Sequence, residues 1–120
     1  MGYPQFDEVR TLTETATRED WEAVSGTSLC GYVTATRDEI EAVFGKPTIS
    51  HNDKTEKVTT EWYLLFDDGL DTVATIYDWK RYELGAPYND ERIEWNIGGR
   101  SETAVVRIAQ FLKKNVRAFL

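Results

Sequence analysis

Two alternating runs joined by a short turn constrain the fold of this chain more than any other feature. Residues 58–66 read VTTEWYLLF and residues 72–79 read TVATIYDW, with Asp67-Asp68-Gly69 between them. Alternation with period two turns every second side chain toward a core, and a turn containing glycine between two such runs is typical of a β-hairpin. The sequence therefore predicts an antiparallel hairpin at its centre.

Helix signals lie on both sides of the predicted hairpin. Thr17 opens a TRED stretch that predicts a short helix through Trp21 and Val24. Residues 36–39 have capping-box spacing, and Gly45 followed by Pro47 ends the predicted helix 37–44. We expect Ser101 to cap a C-terminal helix whose apolar stripe extends to Val116.

Two further strands complete the prediction. Residues 29–34 are a brief apolar run, and residues 93–97 alternate before Gly98-Gly99 ends them. The expected fold is α+β: an antiparallel meander of three or four strands, with short N-terminal helices and a C-terminal helix packed on it. A length of 120 residues fits one domain over 1–120, and the sequence leaves open whether residues 1–16 are ordered.

Composition narrows the setting and the partners. No apolar run approaches the ~18 residues that cross a bilayer, the N-terminus lacks a secretion pattern, and Cys30 is the only cysteine. The expected location is therefore a reducing cytoplasm, without membrane contact. A net charge of −7 argues against direct nucleic-acid binding. Acids predominate in residues 1–45 and bases in 101–120, so one face could imitate nucleic acid. The alternative, which we prefer, is that the basic tail is a helix end stabilised by the helix dipole.

Catalytic signals are weak. His51 stands alone in a polar loop, and Cys30 lies in an apolar segment where a thiol is usually a small buried hydrophobe. One histidine and one cysteine do not make a zinc site, and the Asp67-Asp68-Gly69 turn lacks the calcium-loop spacing. We expect a protein that is not an enzyme and has neither metal nor cofactor; a hydrolase built on paired carboxylates is the open alternative.

Aromatic residues give the clearest binding signal. Tyr77 and Trp79 fall on the same side of a strand, and two cations follow at once. Aromatic rings beside cations at a sheet edge are typical of a surface that anchors a partner or stacks a base. The predicted binding residues are Tyr77, Trp79, Lys80, Arg81, Tyr82 and Tyr88. The alternative is that Trp79 seals the end of the core.

A second, weaker candidate site follows the last predicted strand. Gly98, Gly99 and Arg100 precede a predicted helix, where backbone amides favour an anion. The dinucleotide and P-loop spacings are absent, and a tight strand-to-helix turn also needs glycine.

The chain resembles two groups of known proteins. The order TRDEI, FGKP, WYLLFDDG and VATIYD over residues 34–80 is similar to helix-plus-meander modules such as the beta-lactamase inhibitor proteins and the small lipoproteins of outer-membrane assembly. More specifically, GYVTAT at 31–36, TVATIYDWK at 72–80 and WNIGG at 95–99 resemble a family of small uncharacterised tailed-bacteriophage proteins. Leu70-Asp71 is an insertion relative to that family, and Asn96 stands where it often has histidine.

The phage resemblance implies an accessory protein in the host cytoplasm with no established activity. Proteins of that kind are often counter-defence factors, anti-CRISPR proteins among them, so the expected function is inhibition of a host protein or protein complex by binding. A second hypothesis is a small-molecule binder that sequesters a nucleotide signal on Trp79 or Tyr82. The sequence leaves the oligomeric state open, a homodimer included.

Overall fold

A computed structural model of the chain describes residues 8–114 and 116–118. These residues form seven strands and three helices. In chain order they are β1 (Glu8–Thr11), α1 (Arg18–Ala23), β2 (Ser28–Ala35), α2 (Arg37–Phe44), β3 (Ile49–Ser50), β4 (Thr60–Asp67), β5 (Val73–Tyr77), β6 (Ile93–Gly99), α3 (Thr103–Leu112) and β7 (Val116–Ala118). The predicted α+β class is confirmed. None of the helices formed by these residues is long and apolar enough to span a membrane.

All seven strands belong to one antiparallel sheet. Six of them follow the order β1-β4-β5-β6-β2-β7, and β3 pairs with the start of β4. The predicted meander is its centre, β4-β5-β6, with β2 as the fourth strand. The prediction of three or four strands missed β1, β3 and β7, which have four, two and three residues. Runs this short carry too few alternations to predict a strand.

The predicted start of α2 is confirmed. The Thr36 hydroxyl accepts from the Glu39 amide at 3.1 Å, and the Thr36 amide donates to the Glu39 carboxylate at 2.8 Å. Gly45 ends the helix with a φ of 81°, a conformation that glycine adopts without strain. Thr17 likewise caps α1 by accepting from the Asp20 amide at 3.1 Å.

The C-terminal prediction was wrong in three details. Gly98 and Gly99 are the last two residues of β6 rather than following it, and the N-cap of α3 is Glu102, although the Ser101 hydroxyl accepts from the Thr103 amide at 3.3 Å. The helix stops at Leu112, where Lys113 takes a left-handed φ of 56°, so Val116 lies in β7. Pairing of β7 with β2 supplies backbone hydrogen bonds that the apolar stripe alone does not reveal.

Helices α2 and α3 cover one face of the sheet, and the core lies between this face and the two helices. Trp62 and Trp95 meet there edge to face, with ring centroids 5.4 Å apart, and both are fully buried. Their indole nitrogens donate to the Gly45 and Ala35 carbonyls at 2.8 and 3.0 Å. The prediction that both tryptophans belong to the core is therefore confirmed.

The opposite face is covered at one end. There α1 packs its Trp21 ring edge-on against Tyr63 at 5.3 Å, over a small cluster that includes the buried Leu12, Val24 and Val73. Beyond this cluster, no helix among the described residues covers the sheet. We call this uncovered part the open face; its side chains include Tyr32, Glu61, Tyr77, Glu94, Asn96 and Arg117.

Candidate functional site: an aromatic loop and the open face

The connection that follows β5 concentrates exposed apolar side chains. We call residues 79–91 the aromatic loop. Of seven large hydrophobic side chains exposed among the described residues, four lie in it: Trp79 at 46%, Tyr82 at 43%, Leu84 at 70% and Tyr88 at 79%. Several exposed apolar side chains on one short connection of a small protein are typical of an interaction surface.

Arg81 braces the loop from inside. Its Nε donates to the Gly85 carbonyl at 3.0 Å, and its Nη2 donates to both carboxylate oxygens of Glu91 at 3.0 and 2.9 Å. The Arg81 side chain is only 13% exposed. Arg81, predicted from the sequence as a binding residue, therefore stabilises the loop that carries the exposed rings.

Neighbouring segments also fix the loop. The Asn52 carboxamide oxygen accepts from the Ala86 amide at 2.7 Å, and the Asp38 amide donates to the Asn89 carbonyl at 3.0 Å. Gly85 has a φ of 76°, and a Cβ there would overlap the Asn52 side chain. These long-range bonds tie the loop to the 51–57 segment and to α2, so its shape is set before any partner arrives.

A buried carboxylate anchors the start of the loop. Asp78 is 1% exposed and accepts from the Thr59 and Thr60 amides at 2.8 and 3.0 Å and from the Thr59 hydroxyl at 2.5 Å. Sequence reasoning missed Asp78, Asn52 and Glu91, because their partners lie 10 to 34 residues away and leave no local pattern.

The exposed Trp79 ring lies beside two positively charged side chains. The ring contacts Tyr77 edge to face at 6.2 Å, as expected for two rings on the same side of the sheet. The ammonium groups of Lys80 and Lys57 lie 5.5 and 6.0 Å from the ring centroid. Neither lysine forms an ion pair with another described residue. Lys57 comes from the 51–57 segment and had no signal in the sequence.

A row of polar and aromatic residues crosses the open face. Strand register places Glu61, Tyr77, Asn96, Tyr32 and Arg117 opposite one another on five adjacent strands. Burial raises the pKa of Glu61 to about 7, with the Tyr63 hydroxyl opposing the rise and the Asp78 carboxylate adding to it. Burial also raises the pKa of Tyr77, against a hydrogen bond with Asn96.

The weaker anion candidate has structural roles in the fold. Gly98 and Gly99 are buried in β6, and a Cβ at Gly99 would overlap the Ala104 side chain of α3. Arg100 donates to the carbonyls of Ala23 and Ser25, the latter at 3.0 Å, and so holds the end of α1. Anion binding at this turn stays a prediction.

The other sequence candidates are not residues of the aromatic loop. Asp68 accepts from the Leu70 and Thr72 amides and from the Thr72 hydroxyl, which is hairpin-turn chemistry. Cys30 is half-buried, and burial raises the pKa of its thiol. His51 is exposed and accepts from the Asp53 amide at 3.2 Å. No group of three or more potential metal ligands occurs among the described residues.

One cavity of about 680 Å³ lies at the other end of the sheet, between β1, α1 and the start of β5. Carboxylates of Glu19, Asp67 and Asp71 line it, together with the Arg10–Asp20 ion pair at 2.9 Å. None of the predicted binding residues lines this cavity except Arg100 of the weaker candidate. The aromatic loop and the open face remain the better candidates because they combine exposed rings with unpaired charge.

Comparison with known proteins adds no relative. No family model matches the chain, and no curated protein or solved structure is significantly similar to it.

Proposed function

We propose that this protein is a non-enzymatic binding protein that inhibits a host factor by seating its aromatic loop on it. The observation that supports the proposal is the exposure of Trp79, Tyr82, Leu84 and Tyr88 on one braced connection. Exposed apolar surface is unfavourable in water, and tryptophan and tyrosine are the residues that most often dominate protein interfaces.

Rigidity of the loop strengthens the proposal. A binding loop that must first become ordered loses affinity to that ordering, whereas one already held in place does not. Arg81, Glu91 and Asn52 hold the aromatic loop through hydrogen bonds of 2.7–3.0 Å. These polar contacts therefore hold the exposed rings in position.

The net charge of the protein and its resemblance to phage proteins support a particular kind of target. A net charge of −7 favours a basic partner, such as a complex that handles nucleic acid. The resemblance to tailed-phage proteins supports a bacterial target, an anti-CRISPR role being one form of it. In this proposal the protein inhibits its target by occupying a surface of it, without a chemical step.

Capture from a lysate of the bacterial host, followed by mass spectrometry, tests the proposal. We expect one protein or complex to be retained by the immobilised protein, with retention falling steeply between 50 and 500 mM salt if its acidic surface contributes. A chain that retains nothing beyond a bead control, or that turns over a substrate in the lysate, contradicts the proposal.

A second function is favoured by the surroundings of Trp79. An exposed indole with two ammonium groups within 6.0 Å can stack a base and attract its phosphates. Under this alternative the protein sequesters a nucleotide signal. Extraction of the purified protein would then release a compound absorbing at 260 nm, whereas the protein-binding function predicts none.

A further inference from the structure

We propose that the open face, at its border with the cluster that contains Trp21 and Tyr63, holds the guanidinium group of a partner's arginine between the Glu61 carboxylate and the Tyr77 and Tyr63 rings. This site adjoins the aromatic loop, because the Tyr77 ring contacts Trp79, but the inference does not rest on the function proposed for that loop. Three features of the described residues carry the inference: where Glu61 lies, what it lacks, and how a matching site in the same row is filled.

Glu61 lies between two aromatic side chains. It is the cross-strand partner of Tyr77, and Tyr63 follows two residues later on the same face of β4. Opposed residues in an antiparallel pair have Cβ atoms ~5 Å apart, and alternate residues in one strand point the same way. The carboxylate is therefore flanked by rings in two directions on a surface that remains accessible.

Glu61 has no cationic partner among the residues that the structure describes. Eight ion pairs connect described residues, and none includes Glu61, although the residue is half-buried. A partly buried carboxylate without a countercharge is unfavourable when ionised. A ligand that supplied a positive charge would remove that penalty. We therefore expect a cationic ligand.

The same row of residues already contains one site of this kind that is occupied by a guanidinium. At its other end the Arg117 guanidinium lies 4.3 Å from the Tyr32 ring centroid and pairs with the Glu94 carboxylate at 2.9 Å. A tyrosine ring and a carboxylate on neighbouring strands of this face thus already hold a guanidinium. Tyr77 and Glu61 repeat the combination two strands away from Tyr32.

The chemistry favours guanidinium over ammonium. A guanidinium is planar, stacks on an aromatic face and offers paired donors to the two oxygens of one carboxylate, which an ammonium cannot do. The net charge of −7 also attracts cationic surfaces toward the protein. We assign the guanidinium to an arginine on a partner protein, since no helix among the described residues covers this part of the sheet and the unpaired carboxylate is only half-buried.

Protonation of Glu61 makes the site pH-dependent. Its pKa is about 7 because of burial, with the Tyr63 hydroxyl opposing the rise and the Asp78 carboxylate adding to it. From β5 the Tyr77 hydroxyl also faces it, and from β3 its cross-strand partner is the apolar Ile49. A guanidinium binds the ionised form, so affinity increases with pH, and binding lowers the pKa of Glu61.

Titration with N-acetyl-arginine amide, followed by amide and side-chain NMR shifts, tests the site. We expect saturable shifts at Glu61, Tyr63 and Tyr77, with an affinity about tenfold higher at pH 8 than at pH 6 for a group of pKa about 7. N-acetyl-citrulline amide, which has the same shape without the charge, should produce none. N-acetyl-lysine amide should bind more weakly, and equal binding of lysine would overturn the assignment to guanidinium.

A matched pair of variants completes the test. Glu61→Gln should abolish the shifts, whereas Glu94→Gln, which makes the same charge change on the same face, should leave them at Tyr63 and Tyr77. Independently of either variant, the carboxyl carbon of Glu61 in the unaltered protein should titrate at lower pH when the arginine probe is present. Shifts that persist in Glu61→Gln, an unmoved Glu61 titration, or equal shifts with citrulline would overturn the proposal.

Discussion

The Arg81 guanidinium joins the two ends of the aromatic loop, with its Nη2 2.9 Å from one carboxylate oxygen of Glu91 and 3.0 Å from the other. The same carboxylate accepts from the Tyr88 amide at 3.2 Å. Glu91 therefore connects Arg81, at the base of the loop, to the backbone of Tyr88, which carries one of the exposed rings. This contact explains how a connection with four exposed apolar side chains keeps a defined shape.

Removal of the Arg81 side chain should loosen the loop without unfolding the protein. Because Arg81 is 13% exposed and bonds to a charged partner and to a carbonyl, Arg81→Ala should cost about 2 kcal/mol of stability. Amide hydrogen exchange should accelerate in residues 82–91 and not in β6. Arg18→Ala is the control, since the Arg18 side chain is 93% exposed and should change neither quantity. Unchanged exchange in 82–91 would show that the ion pair does not hold the loop.

A charge at Phe44 should unfold α2 from the core. Phe44 is 5% exposed and lies 6.0 Å, centroid to centroid, from Phe111 of α3. Phe44→Asp buries an unpaired carboxylate there and should lower the free energy of unfolding by about 3 kcal/mol or more, measured by urea denaturation. Val43→Asp is a matched control on the adjacent residue, which is 38% exposed and should tolerate the change. Equal effects of the two substitutions would contradict the packing of this helix.

Asp68 should make stability fall in acid. Burial raises its pKa, but hydrogen bonds from Thr72, Leu70 and Arg107 outweigh burial and lower the pKa from 3.8 to about 2. A carboxyl with a lower pKa in the folded state stabilises above its unfolded pKa, and that contribution is lost as the pH falls from about 4 to 2. The side chain is fully buried, so the loss should be on the order of 2 kcal/mol.

Thermal melts of Asp68→Asn between pH 5 and pH 2 check this assignment. The variant should be less stable than the unaltered protein at pH 5 and show a flatter dependence below pH 4. Asp67→Asn, at the exposed neighbouring position, should retain the original dependence. A slope in Asp68→Asn as steep as that of the unaltered protein would assign the acid sensitivity to other groups.

The sequence predicted the centre of this fold because its signals are local. Alternation in 58–66 and 72–79, the Thr36–Glu39 capping box and Gly45 each act within a few residues. The hairpin, the cap and the helix end are confirmed, but β5 ends at Tyr77, so Trp79 lies outside the strand predicted to contain it. The edge strand β7 could not be predicted, since three residues become a strand only through pairing with β2. Tertiary pairing, rather than propensity, decides these short elements.

In the candidate site, too, some features could be predicted from local sequence signals and others could not. Exposure of Trp79, Tyr82 and Tyr88 could be anticipated, because aromatic residues in a polar loop have no periodic place in a core. The inward role of Arg81 and the approach of Lys57 to Trp79 could not, because both depend on contacts between segments distant in the chain. Composition alone does not distinguish an arginine that binds a partner from one that braces a loop.

The proposal that the protein binds its partner without catalysis is also testable. His51→Ala and Cys30→Ser should each leave partner capture unchanged, because the two side chains lie outside the aromatic loop and the proposed function needs neither nucleophile nor base. Melting temperature serves as the folding control for both. A severe loss of capture in either variant, with the melting temperature preserved, would revive a catalytic function.

Two triple variants, compared side by side, test whether the aromatic loop binds the partner. One variant replaces Trp79, Tyr82 and Tyr88 with alanine; the other replaces Val43, Leu70 and Val106, which are also exposed apolar side chains but lie elsewhere. Both should fold, as judged by circular dichroism and melting temperature. The measurement is the amount of host protein that each variant captures from a lysate, relative to the unaltered protein. We predict that the loop variant loses capture at least tenfold, about 1.4 kcal/mol or more of binding free energy, while the control variant keeps it. A folded loop variant that captures the partner as well as the control does would contradict this account.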